Sequence, residues 1–160
     1  MMKTFETVKR KAEELGLPFR VTEHEHVHTS AEAAKVRGYS EEEGTRRGAK
    51  AMIIRSEGKF YQFVLPGDRK LDFKKVKKAL HTESASLASP DEVEKAIGVK
   101  IGAVPPCGSL FGIPTYVDQT LLEIEEIDFN PGSHTHTMTM KVKDWVKLVE
   151  PMVEDFVQKP

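Results

Sequence analysis

The sequence predicts a single mixed α/β domain with several antiparallel strand pairs, on three observations. Short segments with apolar residues at helical spacing open on Ser, Thr or Asp and close on Gly. Between them lie stretches that alternate with a period of two. Most telling, an apolar run over 51–55 is followed, after Ser56-Glu57-Gly58-Lys59, by a second over 60–65 that halts at Pro66-Gly67, as a hairpin requires. A chain of 160 residues buries a sufficient core as one domain without staples.

Taken in order, Thr4 is placed to cap a helix whose apolar stripe is Phe5, Val8, Ala12 and Leu15 and which Gly16 ends. Phe19 and Val21 then alternate with Arg20 and Thr22 in a strand that runs on into His24, His26 and His28. Thr29-Ser30-Ala31-Glu32 reads as a capping box opening a short helix that Gly38 stops. The hairpin follows. Asp72 caps a basic helix with Phe73, Val76 and Leu80 inward and Lys74, Lys77, Lys78 and His81 outward. Ser89-Pro90-Asp91-Glu92 combines a serine cap, proline in the first turn and an acid three residues on, and Gly98 ends that helix. From 102 to 108 the chain is rich in Gly and Pro, so a loop is expected, and 114–118 resumes a strand. Residues 126–129 and 134–140 form a strand pair across Asn130-Pro131-Gly132-Ser133. Trp145, Leu148, Val149, Met152 and Phe156 mark a C-terminal helix that Pro151 is placed to kink.

Composition narrows the function. With 39% hydrophobic and 31% charged residues the chain is an ordinary globular protein, not a disordered one. No apolar run approaches the roughly 20 residues that span a bilayer, and the first residues lack the apolar stretch of a secretory signal, so a cytoplasmic location is expected. The lone cysteine, Cys107, cannot form an internal disulfide. A formal net charge of -1 argues against coating nucleic acid by bulk charge. The six bases and one acid between Arg69 and Lys78 nevertheless form a local patch suited to phosphates, or a solvated helix face.

Lys50 is the residue that most needs explaining. It shares a strand face with Met52 and Ile54, where an amine requires either a polar partner or a path to water. The loop over 102–108 exposes backbone N–H and C=O groups at set positions, which suits holding a carbonyl or an amine. Lys50 in Gly-Ala-Lys-Ala-Met, Val64-Leu65-Pro66-Gly67-Asp68 followed by Leu71-Asp72, the Ala88-Ser89-Pro90 helix start, the Gly102-x-x-x-Pro106 loop and Val117-Asp118 together resemble the YbaK-like aminoacyl-tRNA deacylases. These include free-standing editing proteins and the editing insertion of bacterial prolyl-tRNA synthetases. The resemblance runs over residues 19–149 and rests on the ordered set of motifs.

That resemblance implies a central, mostly antiparallel or barrel-like sheet flanked by helices. It also implies hydrolysis of the ester of a mischarged tRNA, foremost tRNA(Pro) carrying Ala or Cys, with no cofactor or metal. The implied partners are the aminoacylated 3′ end of tRNA and an aminoacyl-tRNA synthetase, with no membrane. It assigns Lys50, Gly102 and Pro106 to catalysis, with Lys50 near the terminal adenosine and its phosphate. It assigns Thr29, Gly108, Asp118 and His134 to substrate binding, and the outward Lys74, Lys77 and Lys78 suit the acceptor stem. Ala51 follows the lysine where some free-standing members carry asparagine, which leaves the amino-acid preference open.

The same residues raise other chemistries. His24, His26 and His28 alternate on one face and His134 and His136 on another, a pattern that suggests zinc. A strand rarely brings three successive same-face side chains to one ion, and no acid or cysteine has ligand spacing. Cys107 beside the glycine loop suggests a thiol nucleophile, but no motif ties a histidine to it. A binding module that retains the pocket without turnover is the remaining alternative.

Overall fold

The structure, a computed structural model, describes residues 2–26, 30–100 and 102–160. The expectations for His28 and Thr29 lie outside them. Among the described residues, eight strands form two sheets. β1 (Arg20–Glu23), β7 (His136–Lys141) and β6 (Glu126–Phe129) make an antiparallel sheet in the order β1-β7-β6. The other sheet runs β4 (Ser86–Leu87), β2 (Ala49–Ser56), β3 (Lys59–Pro66), β5 (Thr115–Asp118), β8 (Met152–Glu154). Four of the six strand pairs are antiparallel, while β3–β5 and β5–β8 are parallel. A parallel bridge between Gly48 and Asp128 joins the edge of the small sheet to the start of β2.

Among the described residues, six α-helices flank the sheets: α1 (Met2–Glu14), α2 (Ser30–Val36), α3 (Glu41–Arg47), α4 (Phe73–Leu80), α5 (Pro90–Ile97) and α6 (Val142–Val149). None is long and apolar enough to cross a membrane. The hairpin register closes at Ser56↔Lys59 around Glu57 and Gly58, both at positive φ (51° and 77°), the two-residue turn whose twist matches the flanking strands. The capping box at Ser89 and the Asp72 cap form as expected, and Gly98 ends α5 in the left-handed conformation.

Three expectations change. Thr4 lies inside the first turn of α1, buried and packed over Gly132, so the helix starts before it. Helix α3 was not anticipated, although Ser40 followed by three glutamates is a start signal and Ser40 Oγ accepts from Glu43 N at 3.2 Å. A side chain at Gly44 would collide with Ala34, which is why α2 and α3 pack so closely. Pro151 does not kink a continuing helix: α6 ends at Glu150 in the left-handed conformation, and Met152–Glu154 turns back to pair in parallel with β5. Phe156 is fully buried against Phe63, in the larger sheet's core and not on a helix.

The faces of β2 separate the core. Met52 and Ile54 pack with Leu65, Val76 and Phe156 on the α4 side, while Ala51 and Ile53 pack with Val93, Ile97 and Val104 on the α5 side. Trp145, Val64, Phe129 and Met138 belong to a third cluster beneath α1 and α6.

Candidate active site

The loop over 102–108 is fastened by two side chains that the sequence did not assign to the site. Gln62 on β3 is fully buried; its Nε2 donates to Pro105 O at 2.9 Å and its Oε1 accepts from Gly108 N at 2.8 Å. Trp145 Nε1 donates to Pro106 O at 3.0 Å from the centre of the core. The sequence signal was faint: one amide inside the apolar run over 60–65, which the physics of buried polar groups marks as having a set partner. Pro106 and Gly108 are thus loop anchors, enclosed, with Pro106 O and Gly108 N–H already engaged. Gln62→Leu leaves both Pro105 O and Gly108 N–H unpaired and should cost about 2 to 5 kcal/mol. Urea unfolding should show this as a lower midpoint at unchanged m value; an unchanged midpoint would mean that the loop is not held by this amide.

Gly102 lies at the exposed tip of this loop with φ of +93°, and a Cβ built there would stand 3.2 Å from His134 Nε2. Gly102 and His134, separate motifs in the sequence, are therefore brought together. The His134 ring meets His26 edge to face at 4.6 Å, and Asn130 Nδ2 donates to Gly102 O at 2.9 Å. The neighbouring turn is knit by hydroxyls: Ser133 Oγ bonds His136 Nδ1 at 2.8 Å and Thr135 Oγ1 at 3.0 Å.

Lys50 sits on the second residue of β2, where its Nζ donates to Arg69 O at 2.6 Å and weakly to Gly67 O at 3.5 Å. Half-burial pushes its amine below the ordinary lysine value, with Asp68 opposing that shift and Lys70 adding to it. Strand alternation sends Lys50 to the α4 side while the Gly102 loop covers the α5 side. They do not share a face: the parallel Gly48–Asp128 bridge sets β6 beside the start of β2, and Asn130, the residue after β6, holds Gly102.

Beside this end, Arg47 bonds Asp128 at 2.8 Å and Glu126 at 2.9 Å while stacking on Tyr39 at 4.2 Å, fastening α3 to β6. Burial opposes the charge on Arg47, and the bonds and field of the two acids outweigh it. Asp128 also accepts from Thr139, so this buried acid is spent on structure.

Asp118 does not line the site. It is fully buried, accepting from Phe156 N at 2.8 Å and from Thr120 N and Oγ1, and so ties β5 to the C-terminal segment. Cys107 is also enclosed and burial pushes its thiol far above the ordinary range, the opposite of an activated nucleophile. His24 bonds Thr137 at 2.8 Å and His136 faces Glu23 at 3.4 Å. No group of three His, Cys, Asp or Glu among the described residues has the geometry to hold a metal ion. On α4, Lys74 and Lys78 are exposed and Lys77 half-buried, whereas Lys75 turns back to Asp155 and Val157 O.

Residues 24–148 match the profile of the aminoacyl-tRNA editing domain, a span that holds the hairpin, the Gly102 loop, Asn130 and His134. The chain belongs to that family. The editing domain is similar, at 29% identity over 88% of its length and 85% of the relative's, to the multifunctional Ser/Thr-tRNA deacylase ProXp-y of Escherichia coli K12. It is 25% identical to the prolyl-tRNA editing protein ProX of Acetoanaerobium sticklandii, over 91% of its own length and 90% of that protein's. Among solved structures, a candidate trans-editing enzyme for prolyl tRNA synthetase superposes with a TM-score of 0.84 at 25% identity, covering 98% of both chains. The editing domain's chemistry is accordingly that of an aminoacyl-tRNA hydrolase.

Proposed function

We propose that this editing domain acts in trans, with serine or threonine on a mischarged tRNA as its preferred substrate ahead of alanine or cysteine. The observation that carries the site is Gly102: a backbone position at positive φ, without a side chain, whose Cβ would stand 3.2 Å from His134 Nε2, bonded by Asn130 in a loop that Gln62 and Trp145 anchor. The paired imidazoles of His26 and His134 beside that position favour a hydroxyl-bearing side chain over a methyl group. The likeness to ProXp-y, named a Ser/Thr-tRNA deacylase, points the same way.

In this reading, water attacks the ester carbonyl and the bond to the ribose oxygen breaks, releasing the free amino acid and a ribose hydroxyl. An ester needs chiefly positioning and a place for the developing oxyanion, for which we assign the backbone N–H groups at Gly102 and Val104. One such donor is worth roughly 3 kcal/mol, about two orders of magnitude in rate. Lys50, a cation half-buried against Arg69 O, takes the terminal phosphate or adenosine. A deacylation panel of the purified protein on Ala-, Cys-, Ser- and Thr-charged tRNAs, tRNA(Pro) included, tests it. Faster release of Ser and Thr is expected; faster release of Ala or Cys from tRNA(Pro) would reverse the preference, and no release from any would overturn the hydrolase.

Helix α4 begins shortly after the Arg69 carbonyl that holds Lys50, so its exposed face continues from the binding end towards the acceptor stem. Changing Lys74, Lys77 and Lys78 together to Glu should weaken tRNA binding by about tenfold or more at low salt. It should also flatten the logarithmic salt dependence by about 0.9 for each phosphate that the helix no longer neutralises. Hydrolysis of an aminoacyl-adenosine, which has no stem, should stay at the wild-type rate. Wild-type binding across the titration would make the patch a solvated face.

A further inference from the structure

Asn130 follows the last residue of β6 and its side-chain amide can point only one way. Gly102 O is purely an acceptor, so the group facing it at 2.9 Å must be the Nδ2 donor, and Oδ1 faces away from the loop. That Oδ1 is buried and meets no protein donor, the single buried side-chain nitrogen or oxygen in this condition among the described residues. Buried polar atoms are almost always paired, and an exception beside a binding site marks a place where a ligand supplies the partner.

The surroundings make this acceptor a prepared one. Asn130 lies two residues past the Gly48–Asp128 bridge that sets β6 beside the start of β2, and it holds the same Gly102 whose Cβ position His134 overlooks. The turn that follows is braced by Thr4, whose Cγ2 lies 3.0 Å from where a Cβ of Gly132 would be, with Gly132 at φ of +112°. The acid closest in sequence, Asp128, is consumed by Arg47 and Thr139. A donor on the ligand therefore meets a neutral amide oxygen, not a free carboxylate, at this point.

We infer that Asn130 is a substrate-binding residue whose Oδ1 accepts a hydrogen bond from a donor flanking the scissile ester of the aminoacyl-adenosine end of the substrate. This rests on the proposed deacylase reading for the identity of the ligand. Two donors of that ligand flank the scissile ester, the α-ammonium of the amino acid and the ribose 2′-hydroxyl, and the test separates them.

The experiment is a ligand-by-variant cycle read as binding, so that it does not depend on turnover. The probes are the seryl amide of 3′-amino-3′-deoxyadenosine, its deamino analogue (the 3-hydroxypropanoyl amide) and its 2′-deoxy derivative, titrated by calorimetry against wild type, Asn130→Ala and Asn130→Ser. Thermal melts establish that each variant is folded, and either variant suffices because the comparison is among ligands on one protein. The expected result is that the parent probe binds about tenfold or more weakly to the variants, while one derivative binds variant and wild type within about threefold. Loss of the penalty on deamination names the ammonium; loss on 2′-deoxygenation names the hydroxyl. An equal penalty on all three probes would show that Asn130 only positions the loop, and no penalty on any would show that it contacts nothing; both overturn the inference. Failure of the deacylation panel with these binding results intact would remove hydrolysis and leave the contact standing.

Discussion

Gly102→Ala should lower kcat/KM for deacylation by about a hundredfold while the protein stays folded. Two effects combine. At φ of +93° an alanine is strained by roughly 1–3 kcal/mol, and its Cβ would stand 3.2 Å from His134 Nε2, so either the ring or the loop must shift by a few tenths of an ångström. A shift of that kind at a site that works by positioning is costly out of proportion to its size. Gly112→Ala is the matched control, because Gly112 also has positive φ (77°) but open space where the Cβ would go. The control should lose comparable stability and keep its rate. Equal rates for the two variants would mean that the Gly102 loop does not position the substrate.

Lys50→Ala should also reduce deacylation by about two orders of magnitude, chiefly through weaker binding of the tRNA end, with a stability change of no more than about 1 kcal/mol because Nζ donates to a part-exposed carbonyl. Wild-type kcat/KM would remove Lys50 from the site. Its pH behaviour gives a second readout. Desolvation pushes the folded amine below the ordinary lysine value, so between the two values the unfolded chain binds more protons and stability rises with pH across that window. The charge needed for binding is lost over the same window. Deacylation should therefore fall on the alkaline side before an ordinary lysine would titrate, and Lys50→Ala should abolish both trends, as measured by kcat/KM profiles and urea midpoints.

Local rules made most of the secondary structure legible. The hairpin, the Asp72 and Ser89 caps and the Gly98 stop are decided by residues within a few positions of each other, and these formed as expected. Helix α3 was legible only at its start, which Ser40 and three acids spell; Glu41–Arg47 holds no apolar residue and so shows no stripe, and Gly44 is there for Ala34. The C-terminal segment was not legible. Trp145 to Phe156 keeps helical spacing on both sides of Pro151, and only the free edge of β5 and the pocket beside Phe63 draw Met152–Glu154 into a strand.

For the site, the sequence by itself determined that Lys50 interrupts an apolar strand, that residues 102–108 form a loop of special backbone geometry, and that a basic face covers α4. Those follow from residue type and period, which no packing can erase. What only the tertiary structure decided is who stands next to whom. Asp118 turned inward because Thr120 and the Phe156 N–H offered it a complete set of donors. Gln62 and Trp145 came to hold the loop, and Asn130 came to hold Gly102 beside His134, across separations of 28 to 46 residues. Hydrogen bonds of that range leave no period in a single sequence: a buried donor is satisfied by whichever acceptor the fold delivers, and the fold is set by the core as a whole.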